Sequence, residues 1–203
     1  NLYEANYLLP RVLIHMPTGT GKTKTTIHTL VQLMQQNLNG KGFIIWIAHT
    51  TILLEQAYAT LQNVWSHLGN GELEVYRIYD NEGNLESIHS SKGIVFISVS
   101  TLISKYKKQD KYLEQLRDKT NIIVFDEAHK SLAVETRKAV NYLMLSLDDQ
   151  CNRILIGLTA TPGRNIYSDI ENQKLAEFFE KRIIQIDAKK IDQFSLREIE
   201  FAN

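Results

Sequence analysis

Met16-Pro17-Thr18-Gly19-Thr20-Gly21-Lys22-Thr23 brings glycines, a lysine and hydroxyl side chains into one short stretch. Gly19 and Gly21 let the backbone turn tightly with no Cβ in the way. Loop N–H groups at a helix start then converge on one point and favour an anion there. Lys22 is spaced to reach the β- and γ-phosphates of a nucleotide, and the Thr23 hydroxyl to ligate Mg²⁺. The expected nucleotide contacts are Pro17, Thr18, Gly19, Thr20, Gly21, Lys22, Thr23 and Lys24. One departure stands out: the full pattern begins with Gly, and here that position is Met16.

A second set follows an apolar run, Ile122-Ile123-Val124-Phe125, and reads Asp126-Glu127-Ala128-His129. Asp126 is placed to hold Mg²⁺ through water, and Glu127 to orient and deprotonate an attacking water. Taken alone, Asp and Glu here are equally an acidic helix start. A third set, Gly157-Leu158-Thr159-Ala160-Thr161-Pro162-Gly163-Arg164, also follows an apolar run. By itself it is compatible with a plain turn.

The elements that must carry these sets alternate between short apolar runs and longer helical periodicities. Strands are predicted over 12–14, 43–48, 94–99, 122–125 and 154–158, with an edge strand over 73–79. Helices are predicted over 22–36, where Ile27, Leu30, Val31 and Met34 share a face, and over 51–67, where Leu54, Ala57, Leu61 and Val64 do. Residues 101–119 read as helix in two pieces and 133–147 as another helix. Residues 37–42 and 81–91 read as loops. The tail reads as a helix near 175–179 and a β-rich 182–186. Such alternation implies a mostly parallel sheet with helices on both faces, and ligands at the carboxyl ends of the strands.

With 203 residues, of which 43% are hydrophobic, the chain can build one large α/β domain. Lys+Arg and Asp+Glu both number 23, so no overall basic field attracts nucleic acid, and any such surface is a local groove. Cys151 is the only cysteine, which excludes a disulfide framework and a Cys-based zinc site. A reducing, cytoplasmic setting is expected. No apolar run approaches the ~20 residues of a membrane span, so no membrane partner is expected. The start, Asn1-Leu2-Tyr3, shows no signal-peptide pattern and no initiator Met, which is expected of a piece of a longer protein.

Together the three sets resemble motifs I, II and III of superfamily-two helicases, most closely the helicase subunits of type I and type III restriction enzymes. The resemblance covers nearly the whole chain. It implies a three-layer RecA-like domain over 1–203, the first of two, with ATP and Mg²⁺ as cofactors. It implies catalytic roles for Glu127, Asp126 and Lys22, metal contacts from Thr23 and Asp126, and coupling through His129, Thr159 and Thr161. Weaker matches are Ala48-His49-Thr50-Thr51 with Gln56 (motif Ia) and Ser98-Val99-Ser100-Thr101 (motif Ib). In that family such strand ends hold a nucleic-acid backbone. This implies contacts from His49, Thr50, Thr51, Gln56, Ser100 and Thr101, with DNA expected in preference to RNA. For the hydroxyl residues, helix N-capping is an equally good reading.

Further implied partners are a second RecA-like domain of the same polypeptide and restriction-modification subunits. Nothing in 1–11 matches the family's adenine-reading Gln, and nothing after Arg164 resembles its arginine-finger domain. An RNA-binding or remodelling module without processive unwinding is the alternative. A GTP switch is a third class, for which Lys190-Ile191-Asp192 is a poor guanine reader.

Overall fold

The computed structural model describes residues 10–36, 42–80, 83–145, 153–160 and 170–185. Its strands are β1 (Arg11–His15), β2 (Gly42–Ala48), β3 (Val75–Ile78), β4 (Lys92–Ser98), β5 (Thr120–Phe125), β6 (Ile154–Thr159) and β7 (Ile183–Gln185). Its helices are α1 (Lys22–Gln36), α2 (Thr51–Leu68), α3 (Val99–Lys107), α4 (Lys111–Asp118), α5 (Val134–Met144) and α6 (Ile170–Phe178). Short 3-10 turns occupy Leu85–Ser87 and Ala128–Leu132.

The strands form one 7-stranded sheet in the order β3-β4-β2-β5-β6-β1-β7. Every pairing is parallel. Central strands buried on both faces should be apolar throughout, and β2 is: Phe43 to Ala48 are all buried. Helices α1 and α2 cover one face, where Ile27, Leu30, Val31, Leu54, Ala57, Leu61 and Val64 pack on Ile44, Trp46, Phe96, Val124 and Leu158. Helices α3 to α6 cover the other, packing on Leu13, Ile45, Ile47, Ile97, Phe125 and Leu155. The expected α/β three-layer architecture is the observed one.

Boundaries differ where side chains intervene. The strand expected over 94–99 stops at Ser98, because the Ser98 hydroxyl accepts the Thr101 N–H at 3.1 Å and starts α3 at Val99. The helical 101–119 is indeed split: Gln109 adopts φ 50, and Asp110 accepts the N–H groups of Tyr112 at 2.9 Å and Leu113 at 3.3 Å to begin α4. The edge strand is shorter than 73–79, and the 81–91 loop contains the turn Leu85–Ser87. Residues 37–41, 81–82, 146–152 and 186 lie outside the described residues, as does Cys151.

Buried Arg153 closes the amino-terminal edge of the sheet. Its guanidinium donates to the carbonyls of Thr120 at 2.9 Å, Leu143 and Leu145 at 2.6 Å each, and to that of Arg117. One side chain thus ties the ends of α4 and α5 to the start of β5. At the opposite edge, all strands present their carboxyl ends together.

Candidate functional site

The glycine loop leaves the carboxyl end of β1. Gly19 and Gly21 have φ of +79 and +83, the left-handed region that disfavours residues with a Cβ. The Thr20 hydroxyl donates to the Pro17 carbonyl at 2.7 Å and closes the turn. The Thr25 N–H donates to the Gly21 carbonyl at 2.8 Å, so the N–H groups of Lys22, Thr23 and Lys24 form the unpaired first turn of α1. The Lys22 ammonium lies inside the loop, 3.2 Å from the Met16 carbonyl and 3.3 Å from that of Pro17. Met16, at the position where the pattern has Gly, is buried below the loop, and its N–H donates to the Thr159 carbonyl at 3.1 Å. Thr18 is exposed and Thr23 half-buried. The Lys24 side chain lines a shallow hollow between α1 and α2 with His28, Asn63 and His67, leaving its backbone N–H at the loop.

Asp126 follows β5 and is 5% exposed. Its N–H donates to the Ile47 carbonyl at 2.8 Å, and its Oδ1 accepts the Glu127 N–H at 3.0 Å. Burial raises its pKa to about 6, against a lowering by the Glu127 N–H; Glu127's charge adds to the rise, and Lys22 opposes it. The Lys22 contribution places that cation within electrostatic reach of Asp126. Glu127 adopts φ 54 and ψ 51, a left-handed backbone that is strained for a residue with a side chain. Its carboxylate lies 3.3 Å from His129 Nδ1, which lies 3.3 Å from the Thr159 hydroxyl at the end of β6. Gly157 lets this layer close, since a Cβ there would clash with the Phe179 ring and stand 3.0 Å from the Ala128 Cβ.

A hard divalent cation suits this donor set. Mg²⁺ takes few carboxylates and keeps waters and phosphate oxygens as its other ligands. Asp126, a buried carboxylate whose ionisation the protein itself disfavours, is a site that a cation would stabilise. Among the described residues no group of three His, Cys, Asp or Glu could hold a metal by itself.

The residues expected at the nucleic acid fall into separate places. Thr50 caps α2 weakly, accepting the Leu53 N–H at 3.4 Å, and Thr51 donates to Asp80 at 2.6 Å. Ser100 and Thr101 lie 3.0 and 2.8 Å from the Ser98 hydroxyl. Gln56 is exposed. The His49 ring stacks edge-on against Phe125 at 5.7 Å, and its Nε2 is buried without a hydrogen-bond partner. Burial lowers the His49 pKa, opposed by a hydrogen bond to the Lys130 backbone. That ring therefore packs under the Ala128–Leu132 turn. An open cleft of about 760 Å³ lies at the ends of β3 and β4, lined by Tyr79, Asp80, Asn84, Thr101 and Lys105 among others. Lys105 is held there by Asn84 at 3.0 Å and Asp110 at 2.9 Å, while Lys107 pairs with Glu135 at 3.0 Å. Lys105 and Lys107 are thus committed to ion pairs with acids. Thr161 and Arg164 lie outside the described residues.

Sequence reasoning missed His15, and it quoted Ser98 and Gly157 inside their motifs without giving either a role of its own. A polar ring ending an apolar strand just before a glycine loop was the available signal for His15.

Residues 5–164 match the family described as "Type III restriction enzyme, res subunit". The chain belongs to that family. The res-subunit match spans every motif described above. The "Putative ATP-dependent helicase IRC3" of Saccharomyces cerevisiae is 26% identical over 154 residues, covering 74% of this chain and 20% of the relative. The Hef helicase domain of Pyrococcus furiosus superposes with a TM-score of 0.63 at 20% identity, over 88% of this chain and 35% of that one. A hypothetical ATP-dependent RNA helicase from Sulfolobus tokodaii gives 0.59 at 17% identity, over 88% and 48%. At these identities the likeness to solved structures shows the fold. The chain spans less than half the length of these relatives. No described helix is long and apolar enough to cross a membrane.

Proposed function

We infer that residues 1–203 are the ATP-binding half of a nucleic-acid-driven motor that hydrolyses Mg·ATP when a second RecA-like domain closes on it. One observation carries the reading: a buried carboxylate, Asp126, lies within electrostatic reach of Lys22, a lysine inside a positive-φ glycine loop. Pro17 to Lys24 cradle the phosphates through loop N–H groups, and Lys22 neutralises the β- and γ-oxygens. Thr23 and Asp126 would hold Mg²⁺, which supplies charge neutralisation at the transferred phosphoryl group. Glu127, exposed enough to meet water and 3.3 Å from His129, takes the proton of the attacking water. His129 and Thr159 link that base to β6.

Nucleic acid lies across the amino-terminal turns of α2 and α3, which carry Thr50, Thr51, Gln56, Ser100 and Thr101, held by hydroxyl and backbone contacts to phosphate. His49 supports that surface from beneath. The res-subunit match favours DNA and restriction-modification partners. The Sulfolobus neighbour, a hypothetical ATP-dependent RNA helicase, keeps RNA remodelling as the second reading. Melting curves with and without Mg·ATP test the site: bound nucleotide should stabilise the parent by mass action and Lys22→Ala far less. Equal shifts in both would refute it. Steady-state turnover of the full-length protein with DNA and with RNA separates the two substrates.

A further inference from the structure

His15 ends β1 immediately before the phosphate loop and is 3% exposed. Neither ring nitrogen has a hydrogen-bond partner. An unpaired buried polar group destabilises the fold, and a leucine would fill the space without that cost. Burial, reinforced by the Lys22 charge, lowers the ring's pKa. A neutral ring offers one donor and one acceptor. Neither the phosphate contacts nor the proposed base uses this ring.

Its position gives it a task. Leu13, two residues earlier, packs in the α3–α6 core, so strand alternation sends His15 to that same face. Its register partner on β6 is Thr159, and paired residues on neighbouring strands stand ~5 Å apart on one face. The Thr159 hydroxyl reaches His129, and through it Glu127, in steps of 3.3 Å. On the other side, the next residue's carbonyl, that of Met16, accepts the Lys22 ammonium at 3.2 Å. His15 therefore sits between the phosphate-binding lysine and the chain of side chains leading to the proposed base.

We propose that His15 is a positioning residue for ATP turnover, a second hydrogen-bonding seat for the Thr159 hydroxyl, which alternates between His129 and His15 as the phosphate loop fills and empties. A hydroxyl that both donates and accepts suits either ring. The alternation gives motif III two discrete states set by the occupancy of the loop, as a coupling element requires. It rests on the ATP-site reading above, and predicts an effect on turnover rather than on nucleotide affinity.

The test uses the full-length protein and His15→Leu, His15→Gln, Thr159→Val and the double variant His15→Leu/Thr159→Val. Mg·AMP-PNP melting shifts report binding, and nucleic-acid-stimulated ATPase reports kcat and KM. Expected are a roughly tenfold loss of stimulated kcat in His15→Leu at unchanged KM and melting shift, and no further loss in the double variant. His15→Gln, which keeps a donor and an acceptor, should recover most of the rate. Parent-level stimulation in His15→Leu overturns the proposal. So do additive losses in the double variant, and equal losses in the Leu and Gln variants. If His15→Leu does not fold, near-parent turnover in His15→Gln still supports the proposal and a tenfold loss there overturns it. A parent that shows no Mg·AMP-PNP shift instead overturns the ATP-site reading itself.

Discussion

Asp126 shows at the residue scale how a site is maintained against the stability of the fold. Its folded pKa of about 6 stands above the ordinary 3.8, so the folded chain binds this proton more tightly than the unfolded one. Stability therefore falls as pH rises from about 4 to about 6, and stays lower above that. One pKa unit corresponds to ~1.4 kcal/mol, which puts the cost of the buried charge at neutral pH on the order of 2–3 kcal/mol. Asp126→Asn should therefore melt higher than the parent at pH 7 without nucleotide, yet lose the rise in melting temperature that Mg·ATP gives the parent. An Asn variant that melts lower without ligand would show that the carboxylate is structural. Glu127 is tested by removing only its basicity. Glu127→Gln should still bind Mg·ATP while turnover of the full-length protein falls roughly 10²-fold or more, the scale of general-base loss. Turnover near the parent's would exclude Glu127 as the base.

Elements turn these residues toward one another, and here packing decides. Gly157 on β6 leaves room for Phe179 and for Ala128 of the turn that follows Glu127. Gly157→Ala should destabilise by about 1–3 kcal/mol through overpacking, and should depress turnover because it pushes on the layer carrying His129. Arg153→Met, at the opposite edge, strands carbonyls of Thr120, Leu143 and Leu145. It should cost ~2–4 kcal/mol and leave nucleotide affinity per folded molecule unchanged. Chemical denaturation beside nucleotide titration separates the two cases. The same contrast explains what was legible in the sequence. The β1 loop, the β5 acids and the face of α2 formed by Leu54, Ala57, Leu61 and Val64 are local patterns, and the structure has them where expected. Long-range pairings were not legible. Arg153 looks like any surface arginine until Thr120 and Leu143 are folded around it, and His15 looks like a strand end until register sets it beside Thr159. Val99 was read as the last strand residue because the Ser98 hydroxyl, which caps α3 and ends the strand, competes with the apolar run before it.

For the whole molecule, the consequence is that the proposed ATP site has one wall within residues 1–203. Lys22, Thr23, Asp126 and Glu127 come from the carboxyl ends of β1 and β5 and face the same edge of the sheet. Phosphoryl transfer also needs cations on the charge that develops at the γ-phosphate, and an arginine finger there is worth roughly 10³–10⁵ in rate. The cation held inside the loop among the described residues is Lys22. Movement along nucleic acid needs two bodies that close on ATP and open after hydrolysis. Nucleic-acid affinity follows the count of neutralised phosphates, and here Lys105 and Lys107 are paired with acids while Lys+Arg and Asp+Glu balance at 23 each. Residues 1–203 on their own should therefore bind Mg·ATP, turn it over orders of magnitude more slowly than the full-length protein, bind nucleic acid weakly and unwind none. Steady-state ATPase of 1–203 with and without DNA or RNA, run beside the full-length protein, checks this. Fast turnover by the piece, stimulated by nucleic acid, would mean that the site is complete within these strands and that the one-walled reading is wrong.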